Sequence, residues 1–125
     1  MKVIDASALL ALLNAGPGAK TVAAILEAGA RVSAVNLAEV VGKLADYGMN
    51  DDDIGETLDN LGLWVEAFTE EQALATGALR ASTRKAGLSL GDRACLALAT
   101  VTGSVAVTAD RRWTNLTAVE LEVIR

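Results

Sequence analysis

A chain of 125 residues that is 52% hydrophobic and carries a net charge of −5 is long enough for one domain with a sizeable core and too apolar for disorder. It contains no histidine, which removes the commonest general acid–base group and the commonest transition-metal ligand, so any hydrolysis has to rest on carboxylates, hydroxyls, lysine, arginine or a hard metal ion. The single cysteine, Cys95, allows no internal disulfide and suits a reducing compartment, most simply the cytoplasm; the early Asp5 argues against a cleaved leader, and no apolar run is long enough to span a membrane.

Val3 and Ile4 favour a short strand that Asp5 ends, and Ala8 to Leu13 is apolar all round, as in a helix buried on every side. A buried strand feeding a buried helix opens a parallel α/β sheet, and Asp5 falls at the carboxyl end of its strand, where such sheets place their ligands. Asn14-Ala-Gly-Pro-Gly breaks that helix. Residues 19–28 predict a second helix with Val22, Ile25 and Leu26 inward and Gly29 as its stop, and Arg31-Val-Ser a second strand. A third helix over about 35–47, capped by Ser33 or Asn36, buries Leu37, Val40, Val41 and Leu44 and leaves Glu39 off its apolar stripe, like an ordinary surface glutamate.

The Asp51–Asp53 triplet suits the positive end of a helix reaching about Leu61. Leu63 to Phe68 predicts a third strand with Trp64 and Phe68 in the core, and Thr69 opens a helix to about Lys85 with Leu74, Ala75, Ala78 and Leu79 inward. Ser89-x-x-Asp92 has the form of a capping box before a nearly all-apolar helix over 93–102, in which Cys95 is a small buried hydrophobe. Ser104 to Thr108 predicts a fourth strand ending at Asp110, and Leu121 to Arg125 a fifth. Charge is uneven. Residues 39–71 hold Lys43 as their one base among many acids, whereas residues 80–112 hold Arg80, Arg84, Lys85, Arg93, Arg111 and Arg112 against Asp92 and Asp110.

Each of Asp5, Glu39, Asp92 and Asp110 has an ordinary explanation alone: strand end, solvated helix face, helix cap, turn. Strand ends and helix starts of a βαβ layer share one edge, however, so the four carboxylates can converge there. Four oxygen donors without histidine or thiolate suit Mg²⁺ or Mn²⁺. Without a cation such a cluster is costly, since two charges ~4 Å apart repel by roughly 4 kcal/mol at an effective dielectric near 20.

VIDASALLALL, VSAVNLAEVVGKL, GLSLGDRACLALA and VAVTADRRW, in that order, resemble the four signature segments of PIN-domain ribonucleases, and within them the VapC-type toxins of toxin–antitoxin pairs. The resemblance covers essentially the whole chain as one domain, 1–125. It implies an α/β three-layer sandwich with a mostly parallel sheet of about five strands and helices on both faces. It places the family's acidic quartet on Asp5, Glu39, Asp92 and Asp110, with Ser7 and Thr108 as the polar residues that accompany the first and last acids. It further implies Mg²⁺- or Mn²⁺-dependent hydrolysis of RNA to 5′-phosphate and 3′-hydroxyl ends, a homodimer, and a small cognate antitoxin. Asp5, Asp92 and Asp110 would be metal ligands, Glu39 would ligate directly or through water, and Arg84, Lys85, Arg93, Arg111 and Arg112 are candidates for RNA phosphate contacts.

Two rival readings separate on residues or on assay. A receiver-type phosphorylation switch needs an acid pair after the first strand and a lysine after a later one, and this chain has neither. A catalytically silent PIN-fold binding module would keep the acids for metal or partner binding alone, and a metal-dependent cleavage assay distinguishes it.

Overall fold

Val3 and Ile4 sit in the first strand, β1 (Lys2–Ile4), and both are fully buried, on opposite faces because successive strand side chains alternate. The computed structural model describes residues 1–114, 116 and 119–125. In it β1 is the middle strand of a five-stranded sheet of order β3-β2-β1-β4-β5, with β2 at Ala30–Ser33, β3 at Trp64–Glu66, β4 at Ala106–Thr108 and β5 at Leu121–Val123. Every pairing is parallel, and Val3 lies opposite Arg31 on one side and Ala106 on the other.

Parallel neighbours need crossover connections, and helices supply them. α1 (Ala6–Leu13) and α2 (Ala19–Ala28) lead to β2, and α3 (Ala34–Asp46) and α4 (Asp51–Asp59) lead to β3. α5 (Glu70–Ala78), α6 (Arg80–Thr83) and α7 (Leu90–Thr102) lead back across the sheet to β4. Ile4, Val32 and Val107 pack with Leu9, Val22, Ile25, Val40 and Leu44 in one core. Val3 and Ala106 pack with Cys95, Leu96, Leu98 and Trp113 in the other. The sheet therefore has apolar layers on both faces, the expected α/β sandwich. The turn between α1 and α2 depends on Gly18, whose φ of +90° suits no L side chain and whose missing Cβ leaves room for Ile124.

Several expectations are corrected. Trp64 is 62% exposed and Phe68 37% exposed, not core. β3 is an edge strand, so the burial expected of a central strand does not reach it. The helix expected to run to Lys85 divides at Leu79, whose carbonyl accepts from the Ser82 and Thr83 hydroxyls while its N–H bonds only three residues back, to Thr76. On α5 the inward residues are Gln72 and Thr76, while Leu74 is 70% exposed and Ala78 also faces solvent. Gln72 and Thr76 are buried while bonding locally, to the Ala67 and Gln72 carbonyls, and Arg93 of α7 donates to the Thr76 carbonyl at 3.2 Å. The strands are also shorter than expected, β3 and β4 losing their flanking residues to loops.

Candidate active site

β1 is where the strand order turns back: the chain runs outward to β2 and β3, then returns to β4 on the other side. Crossovers leave such a point in opposite directions and open a crevice beyond the carboxyl ends of the strands. A cleft of about 670 Å³ lies there, lined by Asp5, Glu39, Asp92 and Asp110 together with Ser7, Asn36, Lys43, Asp46 and Arg112. All four acids singled out from the sequence thus come to one cleft.

Asp5 is the most constrained of them. It caps α1 by accepting from the Ala8 N–H at 2.9 Å, and the Ser7 and Thr108 hydroxyls reach its two carboxylate oxygens at 2.8 and 2.6 Å. Those hydroxyls are themselves fixed, since Ser7 Oγ accepts from the Ala109 N–H and Thr108 Oγ1 from the Asp110 N–H. Thr108 thereby ties the end of β1 to the end of β4. Burial still dominates: it pushes the Asp5 carboxyl up to about 6, against the three hydrogen bonds and with a further contribution from the charge of Asp92. Three donors do not offset the burial, so the charged form of Asp5 would gain from a cation placed beside it.

Glu39 is on α3, whose cap is Ser33, not Asn36. Asn36 instead donates from Nδ2 to Glu39 Oε1 at 2.8 Å and to the Gly91 carbonyl at 3.0 Å, joining α3 to the first turn of α7. Glu39 rests against Gly91, where a Cβ would collide with its carboxylate. The Asn36 Oδ1 is buried in the cleft wall without a partner among the described residues. Asp92 closes the expected capping box, accepting from the Ser89 N–H at 2.9 Å, and lines the cleft as well. Beneath the acids lies Cys95, whose thiol is pushed up by burial and further by the charges of Asp5, Asp92 and Glu39; three carboxylates act on one buried atom.

Asp110 caps the 3₁₀ turn Arg111–Trp113, which Trp113 anchors by full burial. That anchor aims Arg112 into the cleft. Its Nε donates to both Asp110 oxygens and its Nη2 lies 2.6 Å from Asp110 Oδ2, while Nη1 donates to the Gly87 carbonyl. Nη2 is also 3.7 Å from Asp92. The guanidinium holds the Asp110 carboxyl below the usual range. Among the described residues no three acids are drawn together as a ready metal cage: Asp110 and Asp92 lean on Arg112 and Glu39 on Asn36.

The remaining cations divide. Arg84 and Lys85 are exposed, and Arg111 is exposed and donates to the Arg125 carbonyl. Arg93 departs from expectation, being only 8% exposed with its guanidinium on the Thr76 carbonyl. Asn36, Lys43 and Asp46 were not singled out as functional, yet with Glu39 they are spaced three or four apart and form one polar stripe of α3.

Fold and cleft together define a class, a parallel α/β domain that gathers acids at the point where its strand order reverses. The chain belongs to the PIN domain family, whose model matches residues 2–119. A sequence comparison with curated proteins gives no match. Among solved structures, the chain is similar to one described as a toxin–antitoxin complex from Klebsiella pneumoniae, at 21% identity over 95% of both chains with a TM-score of 0.73. It is also similar to a DNA-bound VapBC from Salmonella typhimurium, at 17% identity over 100% of both chains and a TM-score of 0.76. FitAcB from Neisseria gonorrhoeae matches at 19% identity over 97% of this chain and 96% of that one, with a TM-score of 0.71. No helix among the described residues is long and apolar enough to cross a membrane.

Proposed function

We propose that the protein is a Mg²⁺- or Mn²⁺-dependent endoribonuclease and the toxin of a toxin–antitoxin pair, acting in the cytoplasm as a homodimer held in check by a small antitoxin. The observation that carries the reading is the convergence of Asp5, Glu39, Asp92 and Asp110 on one cleft. The toxin assignment is supported by the toxin–antitoxin complexes among the structural neighbours. The donor set fits a hard divalent cation: it is all oxygen, and among the described residues the buried Asp5 has no cation within ion-pair distance and the Asn36 Oδ1 has no hydrogen-bond partner. Asp5, Asp92 and Asp110 would hold the ion, with Glu39 directly or through water. When bound, such an ion lowers the pKa of a coordinated water and neutralises charge developing on phosphate oxygens.

The chain supplies orientation. Ser7, Thr108 and the Ala8 N–H leave the Asp5 carboxylate one position only. Glu39, propped by Asn36 against Gly91, is placed to orient the attacking water. Attack at phosphorus breaks the P–O3′ bond, so the water oxygen stays on the 5′-phosphate and a proton ends on the 3′-oxygen. Arg84, Lys85, Arg111 and Arg112 contact RNA phosphates in this reading, and these contacts matter because a chain of net charge −5 needs positive charge placed locally to hold a polyanion. The purified protein is expected to cleave RNA with Mg²⁺ or Mn²⁺ and to stop on EDTA. Cleavage that persists in EDTA overturns the metal reading, and metal binding without cleavage returns the silent binding module.

Arg112 has to leave Asp110 before that carboxylate can ligate a cation. Arg112→Gln is therefore expected to bind Mn²⁺ about threefold to tenfold more tightly in calorimetry without RNA, matching the roughly 1 kcal/mol of an exposed charge pair. Arg111→Gln removes the same charge one residue away and is expected to leave Mn²⁺ affinity unchanged. Equal affinities in all three proteins would mean that the guanidinium does not compete.

A further inference from the structure

A second cleft, about 230 Å³ in volume, lies beside the acid cleft and is lined by Arg80, Arg84, Arg93, Gly87 and Leu88. Arg80 and Arg84 stand one helical turn apart, and Arg93 enters from the first turn of α7. Arg93 is a buried cation, 8% exposed, whose observed bond is to the neutral Thr76 carbonyl. Among the described residues no carboxylate lies within ion-pair distance of any of the three arginines. Three arginines lining one small space bring like charges together, and a buried charge is ordinarily paired. The arrangement is suited to receive an anion from outside.

We propose that this cleft is a binding subsite for a backbone phosphate of the RNA, adjoining the one to be cleaved. The inference rests on the ribonuclease reading of the acid cleft. Gly87 borders both clefts, and its carbonyl is the one Arg112 grips, so a strand leaving the acids passes directly to the arginines. The guanidinium fork matches phosphate oxygens two at a time. A strand whose scissile phosphate must sit among four carboxylates also needs an anchor next to them, and the arginine cleft, which shares Gly87 with the acid cleft, is their positive neighbour. The cleft is lined by arginine, glycine and leucine, with no aromatic platform, so it grips backbone and leaves base identity unread.

The test uses the full-length protein in EDTA, so that nothing is cleaved. Binding of a labelled single-stranded RNA is measured over a range of salt for the parent, Arg84→Gln and Lys20→Gln, the last removing an exposed charge on α2. Arg84→Gln is expected to bind about threefold to tenfold more weakly and to lower the slope of log affinity against log salt by about 0.7, the loss of one phosphate contact to a single strand. Lys20→Gln is expected to match the parent. In a second arm, inorganic phosphate should raise the melting temperature of the parent more than that of Arg84→Gln. A Mn²⁺-active parent whose RNA affinity and salt slope are untouched by Arg84→Gln overturns the subsite and leaves the ribonuclease reading standing. A parent inactive with every metal, but with the Arg84-dependent slope intact, supports the subsite and sinks that reading instead. Phosphate protection without any change in RNA slope would mean a site for free phosphate, and protection by a polyglutamate peptide alone would mean a site for an acidic protein segment; either overturns the proposal.

Discussion

Asp5→Asn is expected to abolish RNA cleavage while making the metal-free protein more stable. Loss of a residue that would hold the charge-neutralising ion is expected to remove roughly 4 kcal/mol of transition-state stabilisation, a fall in rate on the order of 10³-fold. Stability moves the other way because burial raises the folded carboxyl from 3.8 to about 6. A raised folded pKa means that the folded state binds the proton more tightly, so the stability this group contributes is fully present below pH 4 and is lost as pH rises through 6. Two pKa units correspond to about 3 kcal/mol. For a chain of this size that is a melting difference of about 10 °C between parent and variant at pH 7, closing as the pH is lowered to 4. Asn caps a helix about as well as Asp, so the cap on α1 survives. Asp110, held low by Arg112, acts with the opposite sign and at more acid pH, which leaves the window from 4 to 6 to Asp5. The measurement is a pair of melting-temperature profiles against pH in EDTA, alongside cleavage with Mn²⁺. An Asp5→Asn protein that melts lower than the parent at pH 7, or that still cleaves, shows the carboxylate to be scaffold.

The sheet and its site were legible in the sequence to different depths, for physical reasons. Val3-Ile4 and Val105 to Thr108 declare central strands because burial on both faces leaves unbroken apolar runs, and the acid following each run marks the carboxyl edge. Asp5 and Asp110 were therefore legible from position alone. Asp92 was legible as a cap, and its place in the cleft lining was legible too, because a helix start lies at the same edge as the strand ends. Glu39 is exposed, as its helical period says; what directs its carboxylate to the cleft wall is Asn36, a polar side chain that reaches across to α7, and no apolar pattern reports such a bond. The stripe Asn36, Glu39, Lys43, Asp46 was the available signal. Trp64, Phe68 and Leu74 were misjudged because hydrophobicity does not say whether a strand is an edge or whether a helix buries its polar side. Arg93 shows the converse: a basic residue in a basic stretch reads as surface, whereas its carbonyl partner on α5 holds it inside.

Gly91→Ala separates site from scaffold at a residue with no side chain of its own. Gly91 is the second residue of α7 and is buried. By helix propensity alone, alanine there should stabilise the protein by up to about 1 kcal/mol and leave activity intact. The added Cβ falls on the Glu39 carboxylate, which is the far end of a flexible side chain and can move aside without disturbing the backbone. The expected result is a protein that melts no lower than the parent and cleaves RNA about 10- to 100-fold more slowly, the scale of losing the support of a metal-site residue. Glu39→Asp withdraws the carboxylate by one methylene and is expected to be impaired by a similar amount. The double variant is then expected to be no worse than the more impaired single one, because the shortened side chain already lies clear of the alanine methyl and both changes act through one carboxylate. Full activity in Gly91→Ala would place Glu39 outside the chemistry, and losses that multiply in the double variant would mean that glycine and glutamate act on different things.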